Sequence, residues 1–253
     1  MRLVEGSIAV KAVIDSKYRT VKKIYINKDK KGSDVAFILR QAQKKRIEVE
    51  KVNKEKIEEL AQGKTHGGIV AKVSERKTQS IVSLLKKDKP FLVLLEGIED
   101  SYNLGYIFRT LYAFGCDGII LKERYIDYDD STIIKSSAGA SELLPIVYSN
   151  DLAGTIEILK NNKIVIVSAY RGKDPINLYD YDFSDKGLLI CIGGPLRGLS
   201  AVVLDNSDNF IYIPYDNDFK NALNAASATS VIASEIYRQN RKKQLPQTIL
   251  CGE

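Results

Sequence analysis

From residue 91 onward the chain keeps one beat. Short apolar runs, FLVLL (91–95), GIILK (118–122), PIVYS (145–149), KIVIV (163–167), LLICI (188–192) and FIYIP (210–214), alternate with segments of helical periodicity. Runs this short and this apolar fit strands buried on both faces. Their alternation with helices predicts a mostly parallel sheet covered on both sides. None of them approaches the length of a membrane span. The opening MRLVEGSIAV lacks the charged start and long apolar stretch of a signal peptide, so the expectation is a cytoplasmic protein with no membrane partner.

Residues 1–75 form a separate pattern. Helices are predicted at 8–16, 33–46 and 53–62, and strands at 22–27, 47–52 and 68–73, giving a small αβα sandwich. Ser33 and Asp34 are N-cap types for the second helix, and Asn53 for the third. Residues 76–89 are polar and charged, a linker with one brief helix, and Pro90 opens the domain that runs to 253. Charge divides along the same boundary. Residues 1–89 hold 23 Lys and Arg against 11 Asp and Glu, a net of +12; residues 90–253 hold 15 against 21, a net of −6. A basic module on an acidic body fits a polyanion partner, RNA or DNA alike, and fits equally a lysine-rich surface that is only soluble. The three cysteines, Cys116, Cys191 and Cys251, are far apart and show neither pairing nor metal spacing, which suits a reducing compartment.

Three constellations follow the strands. Asn103, Gly105 and Arg109 sit at the mouth of a helix after FLVLLEG. Asn103 suits the helix cap, Gly105 permits a close neighbour, and Arg109 lies six residues after Asn103, nearly two turns along the helix. Alone, this pattern is better explained by a helix cap and a salt-bridging Arg. Next, IGGPLRGLS (192–200) bends the chain at Gly193, Gly194 and Gly198 and exposes backbone donors and acceptors. It is neither G-x-G-x-x-G nor a P-loop, so it offers no phosphate cradle. Last, IPYDNDFKNALNAASA (213–228) ends a strand at Pro214 and opens an Ala- and Ser-rich helix at Asn224.

The order of these three resembles the SpoU/TrmH-type RNA ribose methyltransferases of the SPOUT superfamily. The family's acidic residue followed by N-x-G-x-x-x-R-T is matched by ED-SY-NLGYIFRT, its G-x-E-x-x-G-L by GGPLRGL, and its I-P with S-L-N by IP and ALN. KSSAGASELLP (135–145) also matches a stretch typical of these enzymes. EG and AVKA (5–12) and HGG (66–68) resemble the family's small RNA-binding domain, which has a ribosomal-protein-like fold. The likeness covers essentially the whole chain.

The resemblance implies an α/β domain with a deep trefoil knot at the carboxyl end. It implies S-adenosyl-L-methionine held between the second and third motifs, and a homodimer that shares its active site. The implied reaction is methylation of a ribose 2′-hydroxyl in RNA. Ribosomal RNA is the expected substrate over transfer RNA, because the extra N-terminal domain is typical of the ribosomal-RNA branch. Arg109 would act on the hydroxyl with Asn103 and Asn224 beside it. Gly193, Ile213 and Leu223 would contact the cofactor, with Ile192, Gly194, Ser168, Ala169 and Leu199 as neighbours. A guanidinium keeps its proton, so Arg109 is expected to stabilise the alkoxide-like oxygen rather than act as a base. Two positions depart from the family: Pro195 stands where a Glu is usual, and Ala222 where a Ser is usual. They leave open a relative that binds RNA and cofactor with weak or lost catalysis. Glu96, Glu99 or Asp100 would have to supply any replacement carboxylate.

Single residues carry less. His66, in THGG, suits a turn as well as RNA contact, and Tyr25 suits packing better than base stacking. The basic run 238–243 suits a solvated helix end.

Overall fold

The structure is a computed structural model that describes residues 1–61, 63, 66–122, 128–172, 174–218 and 221–242. Cys251 and the last residue of the basic run, Lys243, lie outside the described residues.

The N-terminal sheet is built from β1 (Arg2–Glu5), β2 (Val21–Asn27), β3 (Glu48–Val52) and β4 (Ile69–Val73), in the order β1-β4-β2-β3. Only β2 and β3 pair in parallel; β4 is antiparallel to both its neighbours. α1 (Ser7–Asp15) and α2 (Ser33–Lys44) cover one face, where Val10, Ile24, Ile26, Ile38 and Ile69 are buried. α3 (Lys54–Leu60) covers the other through Ile57 against Val52 and Val70. This is the expected αβα sandwich, with one strand, β1, that the sequence pattern did not reveal. A four-residue edge strand has no period to detect; long-range pairing with β4 creates it. Asn53 caps α3, accepting from the Lys56 N–H at 3.0 Å. Ser33 and Asp34 do not cap α2. The helix starts one residue earlier than such a cap requires, behind Gly32 at φ 125, and Asp34 instead accepts from Lys11 Nζ at 2.8 Å.

The second sheet holds β5 (Phe91–Glu96), β6 (Gly118–Lys122), β7 (Ile146–Ser149), β8 (Ile164–Ala169), β9 (Ile176–Asn177), β10 (Gly187–Gly193) and β11 (Asn209–Tyr212). Their order is β7-β6-β5-β10-β8-β11-β9, and every pairing is parallel. β10 enters between β5 and β8, both of which precede it in the chain. Side chains alternate between two cores. Val93, Leu95, Ile190 and Ile192 meet α4 (Ser101–Ala113) and α8 (Ala225–Lys242). Leu92, Leu94, Leu189 and Cys191 meet α6 (Leu152–Asn161) and α7 (Ala201–Asp205). Each such Leu or Ile contributes about 1.5–3 kcal/mol on leaving water. Burial pushes the Cys116 and Cys191 thiols up to about 12, so both remain protonated at neutral pH.

Residues 130–144, between β6 and β7, do not form one continuous helix. α5 (Asp130–Ser136) stops, Ala138 and Gly139 turn at positive φ, and a 3₁₀ turn follows at Ala140–Glu142. A Cβ on Gly139 would lie 2.5 Å from Ala12 Cβ, so contact with α1 breaks the helix at a residue only glycine tolerates. The linker contains its short helix at Ile81–Leu84, also 3₁₀.

Candidate active site

A cavity of about 320 Å³ opens at the carboxyl ends of β8, β10 and β11, beside the start of α8. Parallel sheets place ligand sites at this end. Ile192, Gly193 and Gly194 leave β10 along one wall, and Leu199 returns along it. Ala169 from β8, Ile213 after β11 and Leu223 before α8 complete the enclosure. Ser168 does not take part. It is fully buried, with its hydroxyl 2.6 Å from Ser207 Oγ. Successive strand residues face opposite sides of a sheet, so when Ala169 faces the cavity Ser168 cannot.

The glycine loop is a contact device. A Cβ on Gly194 would lie 1.8 Å from the Gly97 carbonyl oxygen, and one on Gly193 would lie 2.5 Å from the Gly198 carbonyl carbon. Gly194 N–H donates to the Glu96 carbonyl at 2.7 Å, and Gly198 N–H to the Gly194 carbonyl at 3.1 Å. Behind the loop, Glu96 is buried. Its Oε1 lies 2.7 Å from Lys122 Nζ, and its Oε2 accepts from the Ser200 N–H at 2.8 Å. Burial works to raise this carboxyl, but the Lys122 ammonium and the Ser200 N–H outweigh it and hold it below the usual carboxylate range.

Among the cavity residues that were not anticipated are Tyr170, Arg171 and Tyr215. The Arg171 guanidinium lies 4.3 Å from the Tyr215 ring centroid, and Tyr215 Oη accepts from the Leu223 N–H at 2.9 Å. Tyr170 and Arg171 directly follow β8, so extending the strand-end rule by two residues finds them. Nothing local marks Tyr215 as the support of Leu223.

The first motif lies elsewhere. Asp100, not Asn103, caps α4, with its Oδ1 accepting from the Asn103 N–H at 2.7 Å. Asn103 is half-buried and Arg109 is exposed; neither lines the cavity. Tyr102 and Tyr106 share the exposed stripe of Arg109, at 59% and 50% exposure. Gly105 does permit a close neighbour: a Cβ there would lie 1.8 Å from Ser136 Oγ on α5. Asn224 also avoids the cavity lining. Its Oδ1 accepts from the Ser227 N–H at 2.8 Å, capping α8. His66 stabilises its own turn, Nδ1 accepting from the Gly68 N–H at 3.0 Å, and Tyr25 packs beside Val52 and Val70. At the far end of α8, Arg238 pairs with Glu235 and Arg241 lies over the Tyr237 ring.

Residues 90–234 match the SpoU rRNA Methylase family, and residues 3–79 match the RNA 2′-O ribose methyltransferase substrate-binding family. The chain belongs to the SpoU methylase family. Two staphylococcal proteins assigned to the TrmH family of tRNA/rRNA methyltransferases agree. The one from Staphylococcus haemolyticus is 33% identical over 95% of this chain and 96% of its own length. The one from Staphylococcus saprophyticus is 34% identical over 94% and 95%. Among solved structures, the SpoU methyltransferase AviRb from Streptomyces viridochromogenes superposes with a TM-score of 0.80 at 23% identity, over 95% of this chain and 90% of AviRb. AviRb in complex with AdoMet gives 0.77 at the same identity, over 94% and 89%. An rRNA methyltransferase from Sinorhizobium meliloti gives 0.76 at 20%, over 96% and 88%. These likenesses, each spanning nearly the whole chain, show a shared fold. No helix among the described residues is long and apolar enough to cross a membrane.

Proposed function

We propose that this SpoU methylase transfers a methyl group from S-adenosylmethionine to a ribose 2′-hydroxyl of RNA, ribosomal RNA in preference to transfer RNA, in the cytoplasm. The observation that carries the proposal is the cavity itself. Residues from the second and third motifs, far apart in sequence, meet around one space of about 320 Å³, within the usual size of a small-molecule site. Its composition suits this donor. Apolar walls from Ile192, Leu199, Ile213 and Leu223 fit an adenine, and the loop backbone offers hydrogen bonds where a side chain would block them. The cation on the lining among the described residues, Arg171, is stacked on Tyr215. Once bound, the donor supplies an electrophilic methyl group, so the protein's task is to present the hydroxyl in line and support charge on its oxygen.

Arg109 is the proposed support, with Asn103 and Asn224 placing the ribose. Arg109 is exposed and has no hydrogen-bond or ion-pair partner among the described residues, so its guanidinium is available to a ligand. Since it lies outside the cavity of its own chain, the site is completed by a second copy. The exposed aromatic stripe of Tyr102, Tyr106 and Tyr112 on α4, with Tyr237 on α8, supports a homodimer through this face. A carboxyl-terminal trefoil knot is part of the proposal. It is supported by the insertion of β10 between β5 and β8 and by the passage of Gly194 hard against Gly97.

Pro195 and Ala222 favour a second reading, binding without turnover. Glu96 is committed to Lys122 and Ser200, and Asp100 to the α4 cap, so neither replaces the missing family carboxylate. Incubation of the protein and tritiated S-adenosylmethionine with deproteinised ribosomal RNA, followed by mapping of 2′-O-methyl positions, tests the proposal. One modified ribose supports it. Label on a base overturns the ribose assignment, and cofactor binding without incorporation selects the second reading.

A further inference from the structure

The segment KSSAGASELLP contributes nothing to the cavity, yet Ser137, Ser141 and Glu142 within it are buried. It lies against the N-terminal sheet. Just before it, Ile134 completes the core shared by β2, β4 and α1. Gly139 touches Ala12, and Lys135 Nζ lies 3.5 Å from the buried Glu5. At the centre of this seam stands Arg19, from the loop between α1 and β2. Its Nε donates to Glu142 Oε1 at 3.1 Å, its Nη2 to Asp130 Oδ2 at 2.6 Å and its Nη1 to the Ser74 carbonyl at 3.3 Å. Arg76 donates from Nη1 to the same Glu142 oxygen at 3.1 Å and from Nη2 to the Leu144 carbonyl at 2.5 Å, and it lies over the Tyr18 ring. The side chains of Arg19 and Glu142 are 2% and 1% exposed.

We propose that this cluster fixes the N-terminal module to the methylase domain in a single orientation, making Arg19 and Glu142 positioning residues for a structured RNA that spans both. This rests on the reading of the protein as an RNA methyltransferase. Two guanidinium groups and two carboxylates balance in charge, and each needs its partners at the same moment. An apolar seam tolerates small slides; buried charges do not, because every displaced arrangement strands an ion away from water. The start of the linker is tied down as well: Lys77 N–H donates to the Tyr18 carbonyl at 2.8 Å and Gln79 N–H to the Ile146 carbonyl at 3.0 Å. The basic module is therefore not a swinging arm. RNA held on it reaches the cavity at a fixed offset, and the offset selects the nucleotide.

Hydrogen exchange of the full-length protein tests the docking without reference to catalysis. The triple variant Arg19→Met, Arg76→Met, Glu142→Leu removes three of the four charges and leaves only the part-exposed Asp130, and Glu142→Gln is the milder control if the triple does not fold. At least tenfold faster exchange in 7–15 and 135–145, with β5 and β10 unchanged, is expected. Methyl transfer to deproteinised ribosomal RNA should then show a KM for RNA raised about fivefold and a KM for S-adenosylmethionine unchanged. Full protection of both segments in the variants overturns the docking role, and lost protection with an unchanged KM for RNA overturns the positioning role. If the parent protein transfers no methyl group, filter binding of the same RNA replaces KM, so failure of the enzymatic reading stays separate from failure of this one.

Discussion

The cavity and the α4 face make opposite kinds of site from the same sheet. The cavity is closed by main chain and apolar side chains, and Gly193 and Gly194 are there because nothing larger fits. The α4 face is open and carries Arg109 among exposed tyrosines. One is enclosed within a single chain; the other is an exposed helix face. Under the proposed function, the contrast is between a rigid, self-contained donor site and an acceptor face that would be completed by RNA and a second subunit.

The largest expected effect tests the rigid half. Gly194→Ala forces a Cβ into the Gly97 carbonyl and should cost about 3 kcal/mol or more, seen as a lower midpoint in denaturant together with loss of S-adenosylmethionine binding by calorimetry. A variant with wild-type stability and binding would mean the loop has room to yield. Arg109→Lys tests the open half. It keeps the charge but not the planar fork, and kcat should fall about 100-fold with stability and cofactor binding untouched; near-full activity would remove the fork from the mechanism. Glu96→Gln lies between the halves and should destabilise by about 2 kcal/mol, since Lys122 and the Ser200 N–H lose a buried carboxylate. The folded carboxyl lies below its unfolded value of about 4.3, so its contribution is present above that pH and is lost as pH falls through the lower folded value. The gap between wild type and Glu96→Gln should therefore close in acid, below about pH 4, in parallel unfolding curves. The smallest effect belongs to Leu223→Ala, which trims one apolar wall. The KM for S-adenosylmethionine should rise about fivefold with kcat little changed, whereas a fall in kcat alone would place Leu223 at the reacting centre.

Much of the site is legible along the chain because its parts are local. The strand LLICI predicts where β10 ends, and Gly193 and Gly194 follow it onto the cavity wall. The motif loops declare themselves through glycine and proline. Long-range partners leave no such trace. Tyr215 supports Leu223 through one hydrogen bond, Asp100 displaces Asn103 as the cap of α4, and Ser168 turns inward while Ala169 turns outward.

What the sequence by itself determined is most of the strands and helices, the parallel character of the large sheet, the basic sandwich in front of it and the family motifs, because periodicity, turn residues and local charge are properties of neighbours in the chain. Tertiary structure alone decided that β10 lies between β5 and β8, that residues 169, 193, 213 and 223 enclose one space while Arg109 stays outside it, and that Arg19 meets Glu142 across the seam. Those relations join residues tens of positions apart, and only the closing of sheets and the burial of charge bring them together.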